Sequence, residues 1–372
     1  MGKFIDNRAG LNMDGGPIIR SLLDLDFYKL TMLKLVWKYF RDVLVNYAFK
    51  NRTKSVTLRD FISPEDLRQE LDAVRALRFT PEEINYLRES RYIPRGMFCE
   101  EFLNFLSNLK LPEVSIGIGE KDFVIEVSGT WAETILWETL ILSIVNELYA
   151  RAAVAKSGKS LSEFFITGER RLDKKIALLQ ETDIRFSDFG TRRRFSRSHQ
   201  EYVIGQLQFK IPDQFLGTSN VWLAMKLDLR PIGTFAHEMY MVFSGIYRGT
   251  DDELKSSHNK VLQYWWQEYG EPLSIALTDT YGTDFFFRDF TREQALAWRG
   301  LRHDSGDPIA FGENAIAFYK AHGIDPMAKV LVFSDGLDCE TIFKIHNYFK
   351  GRIQAIFGWG TNLTNDCGVK PL

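Results

Sequence analysis

Ile184-Arg-Phe-Ser-Asp-Phe-Gly190 is the first of seven short apolar runs that stop abruptly at Gly, Thr, Ser, Asp or Asn, the last ending at Asn362. The other six read FLGTSN, PIGTFAH, IALTDT, GLRHDSGD, VLVFSDG and AIFGWGTN. An apolar run of about four to six residues between turn residues is typical of a fully buried strand. Most of the intervals fit a strand, a helix and two loops, since a βαβ unit takes roughly 30 residues. The pattern predicts an α/β barrel or an open α/β sheet.

Each apolar run is followed by polar residues, and ligands bind at the carboxyl ends of the strands in barrels and open α/β sheets. The polar residues at these ends are Asp188, Thr218, Thr234, Asp279, Asp304, Asp335 and Thr361. We therefore expect a single ligand site that is assembled from many strand ends.

Composition and charge exclude several classes of protein. The chain has 372 residues, of which 45% are hydrophobic and 26% charged, and this is the composition of a globular protein. A formal charge of -2 gives no general attraction for nucleic acid or an acidic membrane. Cys99, Cys339 and Cys367 form no CxxC pair, which favours a reduced, cytoplasmic setting. The N-terminus lacks the apolar core of a signal peptide, and the apolar stretch 135–145 is too short to cross a bilayer.

The first 150 residues have a mixed helical and extended pattern. Residues 21–40 carry apolar side chains at helical spacing, with Asp residues in the early turns. The segments SPED and TPEE each place Ser or Thr before Pro, which predicts two helix starts within residues 63–110. Alternation in residues 113–127 predicts a hairpin, and a long helix follows from residue 131 to about 156. We predict an N-terminal α+β domain, residues 1–150, and a C-terminal α/β domain, residues 151–372, that carries the site.

The segment GLRHDSGDP contains the densest group of polar residues. Asp304 and Asp307 flank Ser305 and Gly306 directly after a predicted strand. Glycine lets backbone N–H groups approach an anion, while carboxylates bind Mg²⁺ or ribose hydroxyls. The alternative is a loop followed by a helix that Asp307 caps.

Three further segments are each open to two interpretations. Ser334, Gly336, Gly360 and Thr361 suit a phosphate cradle after the last two strands, although ordinary turns use the same residue types. His237 in GTFAHE is either a structural hydrogen-bonding residue or an acid, base or nucleophile, and it lacks a second His nearby for a metal pair. The basic run RFSDFGTRRRFSR is either a solvated face or a site for an anionic substrate.

Taken in order, these motifs resemble the nicotinate phosphoribosyltransferase family. The matching stretches are LDLDFYKLTM, NYAFKNRT, FSDFGTRRR, LGTSN, GTFAHE, ALTDTYGT, RHDSGDP, FSDGLD and FGWGTNLTND. The resemblance implies an N-terminal α+β domain joined to an irregular TIM-like α/β barrel, the type II phosphoribosyltransferase architecture. It implies a cytoplasmic homodimer that condenses nicotinate with 5-phosphoribosyl pyrophosphate to nicotinate mononucleotide and pyrophosphate. Mg²⁺ is the implied cofactor, and ATP is a co-substrate that acts through a phosphohistidine. Neither nucleic acid nor a membrane is an expected partner.

The resemblance also assigns roles to particular residues. His237 is the expected phosphohistidine, and Asp304 is expected to act with it in catalysis. The residues expected to bind nicotinate are Tyr28, Phe189, Thr234 and Arg302. Those expected to bind phosphoribosyl pyrophosphate are Arg193, Asp304, Ser305, Asp335, Gly336, Gly360 and Thr361. The sequence does not rank Asp279, Asp304 and Asp335 as ribose or metal ligands.

Three alternatives remain beside this reading. A nicotinamide-using relative is disfavoured, because such relatives have Asp at the position of Ser219, and a carboxylate there repels nicotinate. A catalytically silent sensor of phosphoribosyl compounds or nucleotides has the same scaffold. An unrelated barrel lyase or isomerase needs a Schiff-base Lys at a strand end, and none of the seven runs ends in one. Family members usually continue some tens of residues past the GTN motif, whereas this chain ends at Leu372, so the sequence leaves open whether the C-terminal domain is truncated here.

Overall fold

The structure is a computed structural model that describes residues 16–372. Its N-terminal part combines helices with a small antiparallel sheet of strand order β1-β3-β2. The strands are β1 (Leu44–Ala48), β2 (Ser115–Ile118) and β3 (Phe123–Thr130). The helices are α1 (Phe27–Tyr39), α2 (Pro64–Ala76), α3 (Pro81–Glu89), α4 (Glu100–Asn108), α5 (Trp131–Thr134) and α6 (Trp137–Lys156). The predicted hairpin is confirmed as β2 and β3, whereas the strand β1 was not predicted.

Local capping explains where α2 and α3 begin. The Ser63 hydroxyl accepts a hydrogen bond from the Asp66 backbone N–H, at 3.0 Å. Thr80 and Glu83 form a reciprocal capping box at the start of α3. In both helices Pro occupies the first turn, where its missing N–H costs nothing. Both predicted helix starts are therefore confirmed.

The helix predicted for residues 21–40 starts later than expected. Its first residue is Phe27, and Asp26 precedes it without capping it through its side chain. Asp24 and Asp26 are buried before the helix, where Arg194 and Arg192 respectively pair with them. The prediction that these acids occupy early helical turns was wrong, because ion pairs with residues distant in sequence hold them instead.

The C-terminal part is a parallel sheet surrounded by helices, with the strand order β5-β4-β9-β8-β7-β6. Its strands are β4 (Arg185–Asp188), β5 (Phe215–Thr218), β6 (Ile275–Leu277), β7 (Gly300–His303), β8 (Val330–Phe333) and β9 (Gln354–Trp359). Its helices are α7 (Leu161–Leu179), α8 (Arg197–Lys210), α9 (Val221–Leu227), α10 (His237–Ile246), α11 (Asp251–Tyr269), α12 (Thr283–Asp289), α13 (Arg292–Ala297), α14 (Pro308–Ala321), α15 (Cys339–Phe349) and α16 (Thr361–Thr364). Short 3-10 turns lie at Leu58–Asp60, Thr191–Arg193, Glu271–Leu273 and Pro326–Ala328.

The third apolar run, PIGTFAH, does not form a regular strand. Pro231 makes only an isolated parallel bridge with Thr218 of β5. On the other side, the Thr234 hydroxyl donates to the carbonyl of Ile275 in β6, at 3.2 Å. The segment therefore spans the two edge strands and closes the sheet into an irregular barrel. Gly233 explains the irregularity, because a Cβ atom there would lie 3.0 Å from the backbone nitrogen of Tyr28, so α1 approaches too closely for an ordinary strand residue.

The two parts share one hydrophobic core, to which α1, α6 and the barrel strands all contribute. Helix α6 continues through residue 150, so the domain boundary that we predicted there lies within a helix and stays a prediction. The apolar stretch 135–145 is buried for the most part. Within residues 16–372, no helix combines the length and the apolar character that crossing a bilayer requires.

Candidate active site

His237 is the first residue of α10, and hydrogen bonds hold both of its ring nitrogens. Its Nδ1 lies 2.9 Å from the Thr280 hydroxyl, and its Nε2 lies 3.1 Å from Oδ2 of Asp304. Because a carboxylate only accepts hydrogen bonds, Nε2 donates to Asp304. A neutral ring then keeps its lone pair on Nδ1, which faces Thr280. The side chain is 37% exposed, and the Thr280 hydroxyl must turn away before the Nδ1 lone pair can react.

Asp304 is held as a carboxylate at the end of β7. Burial on its own raises the pKa of Asp304, but the Arg302 charge and the hydrogen bonds from His237 and Ser334 outweigh it and hold that pKa well below its usual range. Ser334 donates to Oδ1 at 2.6 Å, and the Arg302 guanidinium lies 3.7 Å from Oδ2. The carboxylate is thus ionised at neutral pH beside the imidazole.

Both roles considered for the motif RHDSGDP, a helix cap and a group of polar residues for ligand binding, apply to different residues of it. Asp307 caps α14, accepting from the Ala310 backbone N–H at 2.7 Å. Ser305 is exposed and donates to Oδ2 of Asp279, whose Oδ1 is buried and has no hydrogen-bond partner. Capping therefore accounts for Asp307 only, while Asp279 and Asp304 lie after β6 and β7, at the strand ends where the site is expected.

The residues expected to bind nicotinate include two aromatic rings, Tyr28 and Phe189, and the guanidinium of Arg302. Tyr28 is 6% exposed, and the Arg192 guanidinium lies 5.5 Å from its ring centroid. Phe189 packs against Gly358 so closely that a Cβ atom there would lie 2.5 Å from the Phe189 ring. Arg302 has a buried Nε without a hydrogen-bond partner. Aromatic rings together with guanidinium groups suit the recognition of a planar anion.

Thr234, another expected nicotinate residue, is engaged elsewhere. Its hydroxyl donates to the Ile275 carbonyl, and its own carbonyl accepts from Thr31 at 2.7 Å. These bonds fix the segment that closes the barrel. In this arrangement Thr234 positions the loop before His237, and its hydroxyl can donate to a ligand only by leaving the Ile275 carbonyl.

The expected phosphoribosyl residues lie along the ends of β4, β7, β8 and β9. The side chains of Arg193 and Asp335 are exposed. Although Arg193 is exposed, partial desolvation by the surrounding protein and the positive charges of Arg192 and Arg52 lower its pKa, an effect that Asp335 and Asp304 oppose. Gly336 has a φ of 60°, which lets the chain turn sharply after β8.

The last two loops of the barrel lie against each other and against the β4 loop. The Asn362 side-chain amide donates to the Leu337 carbonyl at 2.9 Å. Gly360 lies against the backbone of Phe189, where an added Cβ atom would approach the carbonyl oxygen to 3.2 Å. Thr361 follows at the start of α16 and is partly exposed. The structure thus brings the first and the last strand ends together.

The three consecutive arginines of the TRRR segment have three different environments. Arg194 is fully buried in a bidentate pair with Asp24, at 2.6 and 2.9 Å. Arg193 is exposed, and Arg192 turns toward Tyr28. The 3-10 turn at Thr191–Arg193 explains the separation, since successive side chains of such a turn point about 120° apart. The residue pattern alone was interpreted as one basic run and did not predict this division.

Arg192 and two acids that pair with it were also missed as site residues. Its Nε lies 3.2 Å from Oδ2 of Asp26, and its Nη1 lies 3.5 Å from Oε1 of Glu138. The signal available in the sequence was the acid in DLDFYK, which precedes Tyr28 by two residues. Nothing in the sequence around Glu138 indicated that it reaches the same cluster.

Ser219 is buried and donates to Oδ1 of Asp26, at 2.6 Å. Burial raises the pKa of Asp26, and the Arg192 charge and the Ser219 hydrogen bond only partly oppose this. An Asp at position 219 would place two carboxylates in contact in the interior. The effect of that substitution on ligand choice is therefore inseparable from its effect on folding.

Within residues 16–372, no three acidic, His or Cys side chains are grouped so as to hold a metal ion by themselves. Magnesium commonly binds through one or two carboxylates together with substrate phosphates. The buried, unpartnered Oδ1 of Asp279 and the carboxylate of Asp304 fit that mode of binding.

Sequence and structure comparisons agree on the family. The profile of the Nicotinate phosphoribosyltransferase (NAPRTase) family matches residues 184–370, and that of its N-terminal domain matches residues 23–146. A nicotinate phosphoribosyltransferase from Porphyromonas gingivalis is 35% identical, with a TM-score of 0.86 over 95% of this chain and 88% of that chain.

Two further solved structures are similar. A nicotinate phosphoribosyltransferase from Vibrio cholerae is 34% identical, with a TM-score of 0.84 over 96% of this chain and 85% of that one. A protein from Saccharomyces cerevisiae described as a putative nicotinate phosphoribosyltransferase is 32% identical, with a TM-score of 0.81 over 94% and 86%. Both parts of the chain and the order of its motifs agree with these matches, and the chain belongs to the nicotinate phosphoribosyltransferase family.

Proposed function

We propose that this protein joins nicotinate to 5-phosphoribosyl pyrophosphate, producing nicotinate mononucleotide and pyrophosphate, and that ATP hydrolysis through a phosphorylated His237 is coupled to the reaction. The observation that carries this proposal is the accessible imidazole of His237 between Thr280 and the carboxylate of Asp304. Phosphorylation at that position would put the phosphoryl group beside the strand ends that are expected to hold the pyrophosphate.

For the base, we propose binding in the slot between Tyr28 and Phe189, with the carboxylate directed toward Arg302 and Arg192. The closeness of Arg192 to the Tyr28 ring supports this orientation. The pyridine nitrogen has a free lone pair, so its attack on the ribose anomeric carbon needs no general base. The N–C bond forms as the C–O bond to pyrophosphate breaks, and pyrophosphate leaves with the electron pair. The protein contributes position and charge stabilisation.

For phosphoribosyl pyrophosphate, the proposed contacts are Arg193, Asp304, Ser305, Asp335, Gly336, Gly360 and Thr361. Their positions at neighbouring strand ends support a common role. Mg²⁺, which Asp279 and Asp304 would hold together with the substrate phosphates, supplies charge neutralisation on the pyrophosphate when it is bound. Arg193 provides a further positive charge on the same side.

The hydrogen bonds of His237 support phosphorylation at its Nδ1. The Nδ1 lone pair attacks the γ-phosphorus of ATP, the N–P bond forms, and the P–O bond to ADP breaks. Asp304 keeps the proton on Nε2 and stabilises the positive charge that develops on the ring. Hydrolysis of the phosphohistidine later returns the imidazole and releases phosphate. A phosphoryl group at this position changes the charge next to the pyrophosphate site, which would link substrate affinity to ATP.

A cytoplasmic homodimer is part of the proposal. The thiols of Cys99, Cys339 and Cys367 are all free, which supports a reducing compartment. The family resemblance supports the dimer, and analytical ultracentrifugation would test it.

The test of this function is turnover of nicotinate plus phosphoribosyl pyrophosphate, measured with and without ATP. We expect nicotinate mononucleotide and pyrophosphate in equal amounts, formed faster with ATP. Binding of phosphoribosyl pyrophosphate without any product would instead favour the catalytically silent sensor. Faster turnover of nicotinamide than of nicotinate would favour the nicotinamide-using relative.

A further inference from the structure

Lys29 is a fully buried cation that lies between two carboxylates from different parts of the fold. Its ammonium group lies 2.5 Å from Oε2 of Glu138 and also contacts Oε2 of Glu238. Lys29 belongs to α1, Glu138 is the second residue of α6, and Glu238 is the second residue of α10. Burial lowers the pKa of Lys29, but the two carboxylates outweigh this and raise it, so the ammonium group stays charged. One buried charge therefore joins three helices.

Glu238 connects the cluster formed by Lys29, Glu138 and Glu238 to His237, which precedes it in the chain. Besides Lys29, the Tyr47 hydroxyl and the Trp131 indole N–H donate to its carboxylate, the latter at 2.6 Å. These donors come from α1, β1 and α5 of the N-terminal part, whereas α10 belongs to the barrel. Since Glu238 lies in the first turn of α10, its anchoring fixes the direction from which His237 reaches Thr280 and Asp304.

Glu138 ties the same cluster to the proposed nicotinate slot. The Tyr28 hydroxyl lies 3.5 Å from its Oε2, and Arg192 lies 3.5 Å from its Oε1. Burial raises the pKa of Glu138, but the charges of Lys29 and Arg192 outweigh this and lower it, so the group remains an anion. Glu138 thus interacts both with Lys29 and with the guanidinium of Arg192, which lies beside the Tyr28 ring.

These contacts place opposite charges in an unbroken series from Arg192 through Glu138 and Lys29 to Glu238. An anionic base that binds at Arg192 competes with Glu138 for that guanidinium. Glu138 then interacts more strongly with Lys29, which weakens the hold of Lys29 on Glu238 beside His237. Lys29 is fully buried and Glu238 is only 12% exposed, so the interaction between these two is poorly screened by solvent.

We propose that Lys29 is a positioning residue that couples occupancy of the nicotinate slot to the orientation of His237. The inference rests on the proposed function, since it assumes that nicotinate binds at Arg192 and that His237 is phosphorylated. The role of Lys29 is to make ATP consumption depend on the presence of the base.

The test is the number of ATP molecules hydrolysed for each nicotinate mononucleotide formed, in Lys29→Met. This substitution keeps an apolar stem of similar length and removes the charge. We expect the ratio to rise at least about threefold, the size of effect that residues within a coupling network have. The ratio does not depend on how much of the sample is folded, so a purely structural role would leave it unchanged.

Lys34→Met is the matched control. Lys34 lies on the same helix, is also buried, and pairs with Glu268 at 2.7 Å, away from His237. We expect this variant to lose stability and to keep the wild-type ratio. A rise of equal size in both variants would overturn the proposal.

Glu238→Gln is the second variant, for the case in which Lys29→Met does not fold. Glutamine can still accept from Tyr47 and Trp131 but lacks the charge that Lys29 neutralises. We expect the same rise in the ratio, whereas a wild-type ratio in this variant would overturn the proposal. A wild-type enzyme that makes nicotinate mononucleotide without consuming ATP would overturn both the ATP coupling and this inference. A raised ratio in Lys29→Met, together with normal ATP consumption by the wild type, supports both the ATP coupling and this inference.

Discussion

His237 and Asp304 are joined by a hydrogen bond of 3.1 Å between Nε2 and Oδ2, although 66 residues separate them in the chain. The bond connects the loop that closes the barrel with the end of β7. Its consequence is chemical, since it keeps the proton on Nε2 and leaves Nδ1 as the nucleophile.

Asp304→Asn should impair phosphorylation of His237. The side-chain amide can donate to Nε2, which would reverse the tautomer and place the proton on Nδ1. We expect the rate of phosphohistidine formation to fall about 10²-fold, as for other losses of a single electrostatic contact in an active site. Asp307→Asn is the control in the same loop, because Asn also caps helices well. Equal rates in the two variants would refute the role of Asp304.

Gly358→Ala should weaken nicotinate binding. The new methyl group would lie 2.5 Å from the Phe189 ring, so the ring must move out of its position beside the slot. We expect the KM for nicotinate to rise by about tenfold, the equivalent of about 1.4 kcal/mol. Gly205→Ala is the control, because no atom outside its own helix lies within 4 Å of the added carbon. An unchanged KM in Gly358→Ala would remove Phe189 from the nicotinate slot.

Arg194→Met should destabilise the fold. It leaves Asp24 buried at 1% exposure without its bidentate partner, and breaking a buried pair costs about 3–5 kcal/mol. Arg352→Met breaks a bidentate pair with Glu313 that is more than one-third exposed, so we expect a much smaller loss of stability. Urea unfolding of both variants measures the difference. Similar losses would show that burial does not decide the value of the Arg194 pair.

The stability of the protein should depend on pH through His199. Burial, with a smaller effect of the Lys175 charge, lowers the pKa of His199 to about 4, and its Nδ1 has no hydrogen-bond partner. The unfolded chain binds this proton near pH 6.5 and the folded protein only near 4, so stability present above pH 6.5 is lost as the pH falls toward 4. From pH 7.5 to 5, His199 should account for a loss of about 2 kcal/mol.

His199→Met isolates this contribution. Asp188 titrates in the same window with the opposite sign, since burial raises its pKa to about 6 in spite of hydrogen bonds from Thr218, Gly190 and Gln200. Both proteins contain Asp188, so it cancels in the difference between them. The free energy of unfolding of the variant should fall less between pH 7.5 and 5 than that of the wild type. Equal falls would contradict the buried, neutral state of His199.

The sequence was sufficient for the parts of the fold that local patterns determine. The caps at Ser63 and Thr80 and the hairpin of β2 and β3 depend on neighbouring residues, and each was predicted. The end of β7 was identified in the same way, because an apolar run stops at Asp304. Local signals of this kind need no knowledge of distant contacts.

What the sequence could not provide depends on pairs that are far apart in the chain. Helix α1, more than 200 residues away in the chain, approaches Gly233 so closely that the third apolar run does not form a regular strand. The cluster around Lys29 joins residues 138 and 238, whose local sequences carry no sign of each other. The different environments of the three consecutive arginines likewise depend on distant acids, since Arg192 pairs with Asp26 and Arg194 with Asp24.

The most direct test of the account is incubation with ATP labelled at the γ-phosphate, followed by measurement of acid-labile phosphate on the protein. We predict about one labelled phosphate per chain in the wild type, carried on His237, and none in His237→Asn. Label that persists in His237→Asn, or a wild-type protein that remains unlabelled while it forms nicotinate mononucleotide, would contradict the account.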